Sequence, residues 1–199
     1  MWAGSTRGPL IVPGTYTVKL IVGDKTQTQQ FVVTNDPRLK TTPAEFTAQL
    51  SLSIQIRDKL SQVNQAVVDI RAAKKQLEDY AARLKDDTAA KKVADAARDL
   101  DKKLTAVEEE LYQIKNQSSQ DPLNFPIKLN NRLAALLGVV QSTDAGPTKQ
   151  SNVVYEGLAS EANAQLRAAD KLLKEDVGAF NKLVRDSNIP AVTVQHKEN

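Results

Sequence analysis

Between Pro43 and Pro122 the chain contains neither glycine nor proline. These are the two residues that most readily interrupt a helix, so the stretch is committed to long helices. Its apolar residues keep the matching period. Leu60, Val63, Val67, Ile70, Leu77, Ala81 and Leu84 follow one line at steps of three and four, with Lys74 as its single charged member. Val93, Ala97, Leu100, Leu104, Val107, Leu111 and Ile114 form a second line, stepping four, three, four, three, four, three. This is the coiled-coil-like heptad pattern of helices that pack lengthwise on one another. Thr42 can cap the first helix, Pro43 sits where its missing N–H costs nothing, and Glu45 completes a capping box. Only the polar Asp86-Asp87-Thr88 separates the two lines. The spacing predicts a first helix over 43–84, about 60 Å long at 1.5 Å per residue, and a second over 88–116. The short connection makes them antiparallel neighbours.

Beyond a polar loop at 117–122, Pro126 is a candidate start for a third helix, with Ile127, Leu133, Leu136, Leu137 and Val140 as apolar positions. Asp144-Ala145-Gly146-Pro147 ends it. A fourth helix is predicted over 150–185, with Val154, Leu158, Ala162, Leu166, Ala169, Leu172, Leu173, Val177, Phe180 and Leu183. Gly178 inside it costs up to ~1 kcal/mol against Ala.

Before residue 40 the composition is different: Gly, Pro, Thr and Val replace Ala, Leu, Gln, Asp and Lys. Tyr16, Val18, Leu20 and Val22 alternate with Thr15, Thr17, Lys19 and Ile21, which is the period of a strand. Gly23-Asp24 reads as a two-residue hairpin turn, since Gly at its first position permits φ > 0. The return strand is predicted over 25–33, and Leu10-Ile11-Val12 is a candidate third strand. Two or three strands are not a domain, because an isolated hairpin is marginal in water and its edges offer unpaired backbone groups. Either the strands pack on the helical part, or they are the last strands of a β-sandwich whose earlier strands lie outside this chain. The second account fits better.

Composition removes whole classes of chemistry. The 199 residues include no Cys and one His, His196. That excludes disulfides, zinc ribbons, thiol nucleophiles and His-based metal clusters within the chain, and with the lone His in the tail no Ser-His-Asp triad is expected. A net charge of +3 is spread without a basic block, so a nucleic-acid partner is not expected. No apolar run approaches the ~20 residues that span a bilayer, and residues 1–9 show no signal peptide.

The remaining candidates all have plain structural readings. Glu108-Glu109-Glu110 and Asp86-Asp87 diverge by 100° per residue on a helix, whereas a glycosidase needs two carboxyl groups facing across a cleft; a solvated face is expected. Asp79 with Arg83 and Asp99 with Lys103 are i, i+4 pairs. Ser142-Thr143-Asp144-Ala145-Gly146-Pro147-Thr148 matches the Ser-x-Asp-x-Gly-x-Thr core of the Asp-box of sialidase-type propellers, but Lys149 stands where that motif has an aromatic. It reads as a helix stop, a Gly-Pro turn and a helix start. Lys74 either forms a buried ion pair or lays its stem along apolar surface with its head in water. Tyr80 and Tyr112 are core or rim positions. Asn124, Asn130 and Asn131, beside Phe125 and Pro126, fit capping and loop hydrogen bonding, with a binding role as the alternative. Trp2, with the Gly4–Gly8 stretch, fits packing in a sandwich. No catalytic, cofactor-binding or metal-binding residue is assigned.

Several segments resemble one bacterial family. Trp2-Ala3-Gly4, Gly8-Pro9, Val12-Pro13-Gly14-Thr15-Tyr16-Thr17-Val18 and Asp36-Pro37-Arg38 are similar to the C-terminal region of large proteins with a sortilin-like (Vps10/BNR-repeat) β-propeller. Such proteins are often labelled glycosyl hydrolases. Ile56-Arg57-Asp58, Ala66-Val67, Ile70-Arg71 and Gln76-Leu77 resemble the first long helix of that region. The most specific segment is Asp121-Pro122-Leu123-Asn124-Phe125-Pro126-Ile127-Lys128-Leu129-Asn130-Asn131. Ala145-Gly146-Pro147-Thr148 and Ile189-Pro190-Ala191-Val192 follow. The resemblance implies the end of an immunoglobulin-like sandwich followed by a helical region, in a periplasmic or secreted parent.

The expectation is therefore a mainly α chain: an antiparallel bundle of three to four long helices preceded by a β-hairpin from a truncated immunoglobulin-like sandwich. Residues 1–38 would be the partial sandwich, 39–188 the bundle and 189–199 a tail. The expected function is a non-catalytic structural or protein-interaction module, with a protein partner or the propeller domain as its contact. The alternatives are a self-associating helical scaffold, including a homodimer through the second helix, and an accessory part of a glycoside hydrolase whose catalytic residues lie elsewhere. Neither cofactor nor metal is expected.

Overall fold

A computed structural model describes residues 8–85, 87–88 and 90–190. The chain is mainly helical. Strands β1 (Gly14–Val22) and β2 (Lys25–Val33) are followed by helices α1 (Pro43–Arg83), α2 (Lys91–Leu111), α3 (Leu129–Val140) and α4 (Lys149–Lys171). A π-helical turn, Leu172–Asp176, joins α4 to α5 (Val177–Asp186). A single 3₁₀ turn, Asp121–Leu123, precedes α3. The residues gather into two compact units. Among the described residues, one comprises 8–61 with Asn130–Ser160; the other comprises those of 62–129 with 161–190.

In the first unit, β1 and β2 pair antiparallel in a two-stranded sheet, with Gly14 opposite Val33 and Val22 opposite Lys25. Gly23 has φ +56°, and among the described residues Asn188 is the one non-glycine with positive φ. Positive φ at the first turn position alone is the requirement of a type II′ turn. The 10–12 segment is not a strand; instead the Val12 carbonyl accepts a hydrogen bond from the Tyr16 hydroxyl at 2.7 Å.

The predicted capping box is formed. Glu45 Oε2 accepts from the Thr42 N–H at 2.7 Å and Glu45 N–H donates to Thr42 Oγ1 at 3.3 Å. The first part of α1 buries Leu52, Ser53 and Ile56, α3 buries Leu133, Ala134, Leu136 and Val140, and the start of α4 buries Leu158. Gln49 is buried and ties these segments together: its Nε2 donates to the carbonyls of Val140 at 2.8 Å and Thr143 at 2.6 Å. It thereby satisfies the carbonyl that α3 leaves unpaired at Val140 and one in the turn that follows. Thr148 then caps α4, accepting from Ser151 N–H at 3.0 Å. Thr148→Ala is expected to cost ~1 kcal/mol and Thr148→Asn little, read as shifts of the denaturant midpoint.

In the second unit, α2 returns alongside the later part of α1. Val63, Val67, Ile70 and Leu77 of α1 are buried, as are Val93, Ala97, Leu100, Leu104, Val107 and Leu111 of α2. Phe180 and Val184 of α5 join them, and Tyr80 meets Phe180 edge to face with ring centroids 5.6 Å apart.

The helices depart from expectation at three ends and at one interior turn. The second helix begins at Lys91, not residue 88, and Asp87 Oδ1 accepts from Ala90 N–H just ahead of it. It stops at Leu111 because Tyr112 is extended. Ile114 therefore leaves the seam and is exposed. The third helix begins at Leu129, not Pro126, whose carbonyl is taken by the buried Gln113 Nε2 at 2.8 Å. In the fourth, the π turn adds a residue to one turn ahead of Gly178. Val184 rather than Leu183 is buried, and Val154 is exposed.

Candidate functional site

Two features carry unusual chemistry, one in each unit. The first is the hairpin surface. Alternation places Tyr16, Val18, Leu20 and Val22 of β1 on one face with Phe31 and Val33 of β2, their register partners or neighbours. Tyr16 and Phe31 stack with centroids 5.8 Å apart. Yet Val18 is 53 %, Leu20 60 %, Val22 66 % and Phe31 45 % exposed. Gln29, Gln27 and Lys25 of β2 stand opposite Val18, Leu20 and Val22 on the same face, so its exposed apolar surface is concentrated along β1 and at the Tyr16–Phe31 end. The opposite face carries Thr15, Thr17, Lys19, Thr26, Thr28 and Gln30, a solvent-type surface interrupted by Ile21 and Val32. At the exit from β2, the Arg38 guanidinium grips the Asp36 carboxylate and holds it below the usual carboxylate range.

The second feature is a buried carboxylate held by two cations. Glu108 is 2 % exposed. Its Oε1 accepts from Arg71 Nε at 2.5 Å and its Oε2 from Lys74 Nζ at 2.9 Å. The Arg71 guanidinium also lies over the Tyr112 ring, 4.7 Å from its centroid. Burial pushes the Glu108 carboxyl upward, but hydrogen bonds and charge from Lys74 and Arg71 outweigh it and hold the group below its ordinary value. The expectation of a solvated Glu108 is thus corrected, and Lys74 takes the ion-pair reading. Heptad position explains both. Lys74 occupies an a position, and Arg71 and Glu108 occupy the flanking e positions from which side chains reach across a helix pair. A lone cation on an apolar seam was the available signal that an acid stood opposite.

The other candidates resolve locally. Glu110 points away from Glu108 and pairs with Lys128 at 3.2 Å, as divergence along a helix requires. Lys103 reaches Asp176 of the π turn at 2.8 Å, rather than its helical neighbour Asp99, which pairs with Lys102 at 3.5 Å. Residues 142–148 form the expected stop, turn and cap. A Cβ at Gly146 would lie 3.2 Å from Glu45 Cβ and Cγ, so a larger residue there would push the capping-box glutamate by a few tenths of an ångström. Asp121 closes the loop ahead of the 3₁₀ turn, accepting from the N–H groups of Gln117 and Ser118, which lowers its pKa. Asn130 and Asn131 are buried, with Asn130 Oδ1 accepting from Asn131 N–H at 2.8 Å; Asn124 is exposed. Tyr80 and Tyr112 are half-buried rim residues. Trp2, Asp86, Ala191-Val192 and His196 lie outside the described residues.

Among the described residues no cluster of acidic, His or Cys side chains is placed to hold a metal, and no helix is long and apolar enough to cross a membrane. Compared with family models, curated proteins and solved structures, the chain gives no match.

Proposed function

We propose that the chain is a non-catalytic structural or protein-interaction module, the C-terminal part of an extracytoplasmic protein with a sortilin-like (BNR-repeat) β-propeller. The observation that carries an interaction role is the exposed apolar face of the hairpin. A two-stranded sheet with such a face is stable when it joins further strands or packs on another layer. Among the described residues, Glu45, Asp121 and Glu108 serve a cap, a turn and an ion pair, which supports a non-catalytic reading. The propeller and the periplasmic or secreted setting rest on the resemblance of the quoted segments, chiefly 121–131.

Reading the coding sequence in frame upstream of Met1 tests this. Continuation into further strands and a propeller is the expected result, and a stop codon directly upstream overturns it. A self-associating scaffold is the second reading. The α2 seam is already filled within its own unit, so a dimer would have to use another surface, for which the hairpin is one candidate. Light scattering over a hundredfold concentration range is expected to give a constant monomer mass; a rise to twice that mass favours the scaffold.

A further inference from the structure

We infer that β1 is an interior strand of a larger antiparallel sheet, that a third strand pairs with its free edge, and that β2 is that sheet's outer edge. The inference rests on the reading that the hairpin joins a larger β-structure, and it says which edge is used and by what. The occupant is a β-strand of an antiparallel sandwich, with an opposed sheet covering the apolar face.

Three observations converge. The first is the difference between the two strands. Residues 25–30 of β2, Lys-Thr-Gln-Thr-Gln-Gln, are polar throughout, whereas β1 carries Tyr16, Val18, Leu20, Ile21 and Val22 with Lys19 as its one charge. Natural sheets place polar strands at the edge and strongly apolar, β-branched strands inside, where no second chain can pair with them. The second is the Tyr16 hydroxyl, which bonds the carbonyl of Val12 four residues upstream at 2.7 Å. A tyrosine at a strand's start that brackets the preceding backbone is the tyrosine corner of Greek-key sandwiches. There it opens the penultimate strand, which lies between the last strand and an earlier one. β1 and β2 stand in that order. The third is area. The apolar face offers six side chains, Tyr16, Val18, Leu20, Val22, Phe31 and Val33. A stable interface between two proteins takes ~20–30 residues a side, so two copies of this face do not suffice.

The geometry names the atoms. In a two-residue hairpin the pair flanking the turn, Val22 and Lys25, exchanges hydrogen bonds, and such pairs alternate along the ladder. The N–H groups of Thr15, Thr17, Lys19 and Ile21 therefore point to the free edge of β1. Those of Thr26, Thr28, Gln30 and Val32 point to the free edge of β2.

The test is residue-resolved amide exchange on the protein translated from its complete reading frame, beside the 199-residue chain. Thr15, Thr17, Lys19 and Ile21 are expected to exchange at least a hundredfold more slowly in the longer protein. Thr26, Thr28, Gln30 and Val32 are expected to change less than threefold. Protection of the β2 set instead, or of neither set, overturns the inference even when a propeller is found upstream. Protection of the β1 set in a protein without a propeller leaves the inference standing and removes the proposed parent. A reading frame that opens at Met1 overturns both. Paired proline variants give a second measure. Neither Thr17→Pro nor Thr28→Pro removes a donor from the hairpin ladder, so a selective loss of thermal stability in the longer protein for Thr17→Pro is expected. Equal losses overturn the edge assignment.

Discussion

Leu104→Asp is expected to cost at least ~4 kcal/mol and to lower the melting temperature by roughly 10 °C or more. Leu104 is fully buried in the middle of the α2 seam, among the buried Leu100, Val107 and Leu111 of its own helix. An aspartate there would place a charge in an apolar layer, or would bind a proton at a large energetic cost. Leu104→Ala separates cavity from charge: it should cost about 2–5 kcal/mol, set by how far the neighbours collapse. Val68→Asp is the surface control. Val68 follows the buried Val67 in sequence but is exposed on α1, and the change should stay within about 0.5 kcal/mol. Circular-dichroism melts of the three variants check the set. A Leu104→Asp melt matching that of Val68→Asp would show that the α2 seam does not hold this unit together.

The seams were readable because a buried helical face leaves a one-dimensional trace. Val63, Val67, Ile70, Leu77 and the α2 positions from Val93 to Leu111 are apolar in sequence and buried in the fold. The capping box and the Gly23 turn were readable for a related reason: each is a short-range contract between residues three or fewer positions apart. What could not be read was long-range. Nothing near Leu111 announces that Tyr112 turns extended, since the cause includes the fit of Gln113 against the carbonyl of Pro126. Gln49, an ordinary polar residue in sequence, becomes the tie to the end of α3 because two carbonyls happen to converge on it. The π turn likewise has no sequence signature beyond the nearby Gly178. The hairpin face was readable as amphipathic, but not as exposed, because exposure depends on what else is present.

Glu108→Gln is expected to cost about 2 kcal/mol at neutral pH. Removing one member of a fully buried ion pair costs about 3–5 kcal/mol because the other charge is stranded. Here the stranded groups have partial exits: the Arg71 side chain is 50 % exposed and Lys74 17 % exposed. The Lys74 ammonium suffers more, since it sits on the apolar seam beside Ile70 and Leu77 and would face the amide of the new glutamine. Replacing Glu108 and Lys74 together by Leu and Met is expected to recover much of the loss, because the seam is then apolar and Arg71 turns to water. The pH dependence identifies the carboxylate as the cause. Its folded pKa lies below the unfolded value of about 4.3. The stabilisation is therefore complete above that pH and is lost as pH falls through the lower folded value. The gap between native protein and Glu108→Gln in urea midpoints should be constant from pH 8 to about pH 5 and close in more acidic solution. A gap that persists unchanged at pH 3 would mean that shape, not charge, makes Glu108 matter.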